Sequence, residues 1–145
     1  MAPWGKARKA DLLARIPLFS TCSRRQLHQI GALTAGEELP ADTVLTREGA
    51  KGGIAFILAS GQAEVERHGR RLAVLGPGDV VGELSLIDGE PRSATVRALT
   101  DLEVLEIDTR DLTRLLRSNP GVRRKLLEVL AERIRHADRL PTAGL

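Results

Sequence analysis

The sequence predicts an α+β fold, in which an antiparallel, eight-stranded β-roll of the jelly-roll type lies between N-terminal helices and two C-terminal helices. Residues 36–108 consist of short β-type runs separated by Gly, Pro and Asp, without a helical stretch between them. A parallel sheet would need crossover helices in this region, so the pattern favours antiparallel strands. Residues 1–35 and 109–140 instead have the apolar spacing of amphipathic helices.

Length and composition predict one domain that spans residues 1–145. A chain of this length buries roughly two-thirds of the surface that it exposes when unfolded, so it needs no disulfide. The single cysteine, Cys22, excludes an internal disulfide and suits the reducing cytoplasm. No apolar run reaches about 18 residues, and the N-terminus lacks the apolar core of a signal peptide, so we expect neither a membrane span nor secretion.

Two helices are predicted before the roll. Residues 6–15 form the first, which Pro17 stops. The spacing of Ser23 and Gln26 is that of a capping box, so a second helix is expected to begin at Ser23 and to end at Gly36. Its apolar stripe consists of Leu27, Ile30 and Leu33.

The roll is divided by two strong turn signals, His68-Gly69 and the run from Gly76 to Asp79. Strands are predicted at residues 37–39, 43–47, 54–59, 62–67, 70–75, 80–81, 93–99 and 102–107.

Two helices are predicted after the roll, at about residues 109–140. Thr109 is the expected N-cap of the first, and Asn119 caps the second, which Pro120 opens. The second helix should extend to about Leu140, with an apolar stripe of Val122, Leu126, Leu130, Ile134 and Ala137.

The net charge of +3 is unevenly distributed. Residues 1–25 carry six basic residues against one acid, and residues 110–145 carry nine against four, so the middle of the chain is acidic. Attraction of nucleic acid or of a membrane is one explanation of basic ends. We interpret them as solvated helix faces, because the basic residues are not interleaved with aromatic residues.

The segment from Gly82 to Val96 has the composition of a nucleotide site. Glycine lets the backbone approach a ligand. The carboxylate of Glu83 can accept hydrogen bonds from sugar hydroxyls, and the guanidinium of Arg92 offers a fork of donors that suits a phosphate. Either residue alone is more simply a helix-start acid or a solvated strand residue, and their combination with Gly82 and Ala94 favours a site.

This segment resembles the phosphate-binding cassette of the cyclic nucleotide-binding domain family, which includes catabolite activator proteins, regulatory subunits of cyclic-AMP-dependent kinase and cyclic-nucleotide-gated channels. The matching runs are Gly82-Glu83-Leu84-Ser85-Leu86-Ile87 and Arg92-Ser93-Ala94-Thr95-Val96. Further likeness lies in Arg47-Glu48-Gly49, in Phe56-Ile57-Leu58 with Gly61, and in Gly76-Pro77-Gly78-Asp79. The likeness covers roughly residues 11–140.

The resemblance implies a role for each cassette residue. Glu83 would accept the ribose 2′-hydroxyl, and Arg92 would pair with the cyclic phosphate. Backbone N–H groups near Leu84 and Ser85 would bind phosphate oxygens at a helix start. The expected ligand-binding residues are Gly82, Glu83, Leu84, Ser85, Arg92, Ser93 and Ala94, and the candidates for a lid over the base are Arg133, Ile134, Ala137 and Asp138.

The resulting hypothesis is a cyclic nucleotide sensor in which the ligand repositions the C-terminal helices. Ser93, in place of threonine, favours cAMP, with cGMP as the alternative. We expect no catalysis, no cofactor and no metal, since His28, His68 and His136 are scattered along the chain. A competing hypothesis is a ligand-independent scaffold that forms a homodimer through its C-terminal helix.

The resemblance to catabolite activators also raises the question of DNA binding. Those proteins place a helix-turn-helix domain after the last helix, and only residues 141–145 follow it here. We therefore expect a stand-alone, bacterial-like member of the family that does not bind DNA directly, and whose effector is a protein still to be identified.

Overall fold

The computed structural model describes residues 4–51, 53–82 and 94–138, without the side chains of residues 129, 130 and 133–138. Its elements are α1 (Lys6–Ala14), a 3-10 turn (Pro17–Phe19), α2 (Arg24–Ala32), β1 (Thr34–Leu39), β2 (Val44–Thr46), β3 (Ile54–Ser60), β4 (Ala63–Arg67), β5 (Arg70–Leu75), β6 (Val80–Val81), β7 (Thr95–Ala98), β8 (Leu102–Asp108), α3 (Thr109–Ser118) and α4 (Pro120–Asp138).

The strands form two antiparallel sheets. The first sheet has the strand order β1-β8-β3-β6, and the second has the order β2-β7-β4-β5. The described residues thus contain eight strands packed as a roll. Helices precede and follow the roll in the chain, and they pack on one face of the first sheet. The predicted α+β class and the predicted jelly-roll architecture are confirmed.

The first sheet has apolar side chains on both faces, so it separates two hydrophobic cores. Alternate residues of β8 point to opposite sides: Leu105 and Ile107 face the helices, whereas Leu102 and Val104 face the roll interior. The helix-side core contains Trp4, Ala10, Leu13, Ile16, Leu18, Phe19, Leu27, Ile30, Ala55, Ile57, Val80, Leu105, Ile107, Leu112, Leu116, Val122 and Leu126. The roll core contains Phe56, Leu58, Ala63, Val81, Val96, Ala98, Leu102 and Val104.

The capping box at the start of α2 is confirmed. The Ser23 hydroxyl accepts from the backbone N–H of Gln26 at 3.2 Å, and the Gln26 side-chain oxygen accepts from the N–H of Ser23 at 2.7 Å. The predicted end of α2 was wrong, because the helix ends at Ala32 and Gly36 lies inside β1. Pairing with β8 draws this segment into the first sheet, and the missing side chain at Gly36 makes room for the Trp4 ring.

The predicted N-cap of α3 was wrong by one residue. Asp108 caps the helix, and its carboxylate accepts from the N–H of Arg110 at 2.7 Å. Thr109 is instead the first helical residue, and its N–H donates to the carbonyl of Gly53 at 3.0 Å. The predicted cap of α4 is confirmed, since the Asn119 side-chain oxygen accepts from the N–H of Val122 at 3.3 Å.

Two of the turns have the predicted form. His68 and Gly69, between β4 and β5, both have left-handed backbone angles, with φ of 52° and 77°, which is the geometry of a tight hairpin. In the turn before β6, Asp79 donates its N–H to the carbonyl of Gly76, and its carboxylate accepts from the Gly76 N–H at 2.8 Å.

Two apolar stripes differ in part from their prediction. Leu33 is 39% exposed, because the helix has already ended before it. Val122 and Leu126, which were expected in a dimer stripe, are buried in the molecule's own helix-side core, whereas Leu127 is 56% exposed. The remaining residues of the stripe, Leu130, Ile134 and Ala137, are described by their backbone alone.

Candidate functional site

Much of the predicted site falls outside the described residues. The structure describes Gly82 and Ala94 at the two ends of the predicted cassette, whereas Glu83, Leu84, Ser85, Arg92 and Ser93 lie in the range 83–93, which is not described. The lid candidates Arg133, Ile134, Ala137 and Asp138 lie in the last turns of α4, where the structure describes backbone only. The assignments of these residues stay predictions.

The entry to the cassette is a glycine in a left-handed conformation. Gly82 follows β6, which pairs with β3 through Val81 opposite Phe56, and its φ is +99°. An L-residue rarely adopts this angle, so glycine is the residue suited to this point. Strand β6 therefore ends at Val81, and a left-handed glycine follows it where the predicted cassette begins.

The exit from the cassette, which consists of Ala94 and Thr95, is hydrogen-bonded to β2 and to the residues that follow it. The hydroxyl of Thr46, on β2, donates to the carbonyl of Ala94 at 3.3 Å. One residue further along, the Thr95 hydroxyl accepts from the backbone N–H of Glu48 at 2.9 Å. Thr46 is only 7% exposed, so its hydrogen bond is shielded from water.

Both ends of the cassette lie at the same end of the roll. Gly82 follows Val81, which pairs with Phe56, so Gly82 lies near Ala55 at the beginning of β3. Thr95 pairs with Glu66, near the end of β4. The β3–β4 connection, which contains Gly61, lies at the opposite end. Helix α3 starts beside Gly53 at the cassette end, so a ligand bound there would neighbour the first turn of the C-terminal helices.

An acidic side chain occupies the roll face of the first sheet near this end. Glu106 pairs with Phe56 across β3 and β8, in the same row as Val81. Partial burial raises the pKa of the Glu106 carboxyl, and the neighbouring negative charge of Glu37 raises it further. Glu106 therefore carries its negative charge into the roll less readily than an ordinary glutamate.

A second charged group lies on the outer face of the second sheet. Glu64 and Glu66 flank Val65, which packs toward the roll core, so their side chains lie on the opposite face. A mutual hydrogen bond lowers the pKa of Glu64 and raises that of Glu66, while Arg71 and Arg97 hold the pair electrostatically. These contacts connect β4, β5 and β7, and they lie on the face of the second sheet that points away from the roll interior.

The structure also contains a cavity of about 410 Å³. It lies at the end of the first sheet remote from Gly82 and Ala94. Its lining residues are Glu38, Leu39, Pro40, Ser60, Asp101, Leu102 and Glu103. Arg8 pairs with Glu103 at 2.5 Å, and Ser60 donates to the same carboxylate at 3.0 Å.

The described residues include neither a metal-ligand cluster nor a helix that could span a membrane. That part of the chain holds no group of three or more His, Cys, Asp or Glu side chains suited to a metal ion. Nor does any helix described there combine the length and the apolar character that crossing a bilayer requires.

Reasoning from the sequence missed Thr46 as a residue of this site. The neighbouring run Arg47-Glu48-Gly49 is part of the family resemblance, but the burial of Thr46 follows from a register shift between β2 and β7. A threonine in a β-type run is ordinary, so no local signal distinguished it.

Comparison with known proteins agrees with this fold. The family model described as the cyclic nucleotide-binding domain matches residues 36–119, which is more than half of the chain. A cyclic nucleotide-binding domain from Methylobacillus flagellatus superimposes with a TM-score of 0.79 at 26% identity, and the match covers 99% of this chain and 89% of that one.

Two curated relatives are similar over most of the roll. A cyclic nucleotide-gated potassium channel of Mesorhizobium japonicum is 35% identical over 115 residues, which are 79% of this chain and 32% of the channel. The cyclic AMP receptor protein of Thermus thermophilus is 38% identical over 96 residues, 63% of this chain and 44% of that protein. The chain thus spans less than half the length of either relative. From the family match and the shared roll, we conclude that the chain belongs to the cyclic nucleotide-binding domain family.

Proposed function

We propose that this protein is a cyclic nucleotide sensor whose preferred ligand is cAMP, with cGMP as the alternative. The observation that carries the proposal is the convergence of Gly82 and Ala94 at one end of the roll, beside the start of α3. A segment held at both ends in this way can present Glu83 to a ribose and Arg92 to a cyclic phosphate. The cAMP assignment draws support from the name of the Thermus relative.

The signal would pass through the C-terminal helices. Thr109 donates to Gly53 at the cassette end, and α4 packs on the 3-10 turn of residues 17–19. A ligand biases the position of these helices only to the extent that it binds one arrangement more tightly than another. We propose a separate effector protein as the recipient of the signal, with no catalysis in this domain and no direct contact with DNA.

A cytoplasmic location is part of the proposal. Cys22 is a free, half-buried thiol, and burial raises its pKa. A thiol of this kind is less reactive than an exposed one and suits a reducing compartment.

Titration calorimetry with cAMP and with cGMP tests the proposal. We expect cAMP to bind more tightly than cGMP, with one site per chain. The absence of heat from either nucleotide at high micromolar protein would contradict the sensor function.

The phosphate contact has its own test in Arg92→Ala. Loss of the guanidinium should cost at least about 2 kcal/mol of binding free energy, because the charged phosphate loses its main partner. Arg92→Lys should restore binding only in part, since an ammonium lacks the planar fork. Arg117→Ala, which removes an exposed arginine from α3, is the matched control and should bind as the parent does. An Arg92→Ala variant with parental affinity would place the phosphate elsewhere.

The scaffold remains the second candidate, and one observation favours it. Leu127 is 56% exposed on α4, beside the buried Leu126, and a second copy of the chain could cover this side chain. Light scattering with and without nucleotide separates the candidates. A dimer of unchanged size that binds no nucleotide would favour the scaffold over the sensor.

A further inference from the structure

The described residues contain two buried polar side chains, Thr34 and Thr46, which are 6% and 7% exposed. The Thr34 hydroxyl donates to the carbonyl of Gly31 at 2.8 Å, which closes the end of α2 locally. The Thr46 hydroxyl donates across the second sheet to Ala94, 48 positions away in the sequence. The two residues make the same kind of bond, and only the bond of Thr46 holds the cassette exit.

Thr46 is buried because the pairing of β2 with β7 changes register. Val44 lies opposite Arg97, whereas Thr46 lies opposite Val96, so β2 accommodates one extra residue between them. Val96 belongs to the roll core and is 5% exposed. A bulge of this kind redirects a side chain and is common beside functional sites. Here it brings a hydroxyl to the carbonyl of Ala94.

A second contact holds the next residue of the exit. The N–H of Glu48 donates to the Thr95 hydroxyl, and the Glu48 carboxylate accepts from the backbone N–H of His68 at 2.9 Å. The same carboxylate lies 3.2 Å from the His68 ring nitrogen Nδ1. His68 is at the tip of the β4–β5 hairpin, so Glu48 connects that tip to the start of β7.

We infer that Thr46 is a positioning residue for nucleotide binding, which acts through Ala94 and is assisted by the contact between Glu48 and Thr95. This inference rests on the proposed function. Ala94 lies two residues after Arg92, so fixing the Ala94 peptide limits the positions that the guanidinium can sample. A preorganised group loses less freedom when its ligand binds, and affinity rises accordingly. Thr46 itself makes no contact with the nucleotide in this arrangement.

Thr46→Val tests the inference, because valine keeps the shape of threonine and removes the hydroxyl. The Kd for cAMP should rise by up to roughly fivefold, because the preorganisation that is lost is worth at most about one net hydrogen bond. Thr46→Ser keeps the hydroxyl and should restore most of the affinity. Thr34→Val deletes the matching buried hydroxyl on β1, at the edge of the first sheet opposite β6 and without a contact to the cassette exit, and it should lower Tm to a similar extent with no change in Kd. A parental Kd in Thr46→Val, or an equal rise in Thr34→Val, would overturn the inference.

Hydrogen exchange without nucleotide gives a readout that does not depend on binding. The amides of residues 95–98 should exchange faster in Thr46→Val than in the parent, and at the parental rate in Thr34→Val. Exchange that is unchanged in both variants, or faster in both, would overturn the inference. If the parent binds no cyclic nucleotide, the proposed function fails, and this exchange comparison still decides whether Thr46 holds the exit segment.

Discussion

The two cores on either side of the first sheet differ in the size of the side chains that fill them. The helix-side core contains the aromatic rings of Trp4 and Phe19 together with many leucines and isoleucines. The buried members of the roll core are mostly Val and Ala, and Phe56 is the one aromatic ring among those that the structure describes. Ala63 and Ala98, directly opposite each other on β4 and β7, are both 0% exposed.

The two cores also differ in which of their residues adjoin the ends of the cassette. The helix-side core contains no residue next to the cassette ends apart from Ala55 and Val80, so its main role is to hold the helices on the sheet. The roll core includes Val81 and Val96, which lie one and two residues from Gly82 and Ala94. Changes in its packing should therefore affect the geometry of the site as well as the stability of the fold.

The largest expected effect comes from deleting matched leucines. Leu13 in the helix-side core and Leu58 in the roll core are both 0% exposed. Leu13→Ala and Leu58→Ala should each cost about 2–5 kcal/mol of unfolding free energy, from lost burial and from the cavity that remains. Urea unfolding measures this cost. Only Leu58→Ala should also raise the Kd for cAMP, measured at low temperature where both variants are folded.

The same pair of variants can contradict the separate roles that we expect of the two cores. If Leu13→Ala weakens nucleotide binding as much as Leu58→Ala does, the two cores do not act separately and the first sheet transmits packing changes across its thickness.

A smaller effect is expected where Trp4 contacts β1. A Cβ atom at residue 36 would overlap the Trp4 ring, so Gly36→Ala should destabilise the fold by about 1–3 kcal/mol through overpacking. Gly53→Ala is the matched control, because the space around that position is open and it should be nearly neutral. Unfolding monitored by circular dichroism compares the two. Equal midpoints for both variants would show that the ring moves aside at little cost.

The smallest effect is expected from Glu106→Gln, and it depends on pH. Because the folded state raises the pKa of Glu106, it binds the proton more tightly than the unfolded state does, and stability is lost as pH rises above the ordinary glutamate pKa of about 4.3. Glutamine cannot ionise. The variant should therefore have a higher Tm than the parent at pH 7, and this advantage should disappear as the pH falls below about 4.

Glu103→Gln is the counterpart on the helix side of the same strand. Arg8 pairs with Glu103, so this substitution should lower Tm slightly at pH 7 instead of raising it. A Glu106→Gln variant that is less stable than the parent at pH 7 would mean that its carboxylate stabilises the fold in its charged form.

Local signals in the sequence were sufficient for much of the fold. The capping box of Ser23 and Gln26, the hairpin at His68-Gly69 and the short strands of the roll depend largely on interactions within a few residues, and the structure confirms each of them. The assignment of Thr109 failed by one residue because Asp108 and Thr109 can both cap a helix. Strand pairing, which keeps Asp108 in β8, decides between them.

The remaining features depend on contacts between distant segments. Gly36 has the properties of a helix stop, and its place in a strand depends on pairing with β8 and on the packing of Trp4. The burial of Thr46 follows from a register shift between β2 and β7. For the candidate site, the family resemblance supplied the roles of Glu83 and Arg92, which stay predictions, whereas the contacts that hold Ala94 required three-dimensional positions.

The packing of Trp4 also allows tryptophan fluorescence to follow the N-terminal helical segment, called the flank below. The chain has one tryptophan and no tyrosine, and this indole is 8% exposed, with the Arg8 guanidinium 3.5 Å from its ring centroid. Excitation at long ultraviolet wavelengths therefore selects a single chromophore at the contact between the N-terminal segment and β1. Its emission reports whether that segment is docked, so one unmodified sample can distinguish detachment of the flank from melting of the roll, which circular dichroism follows.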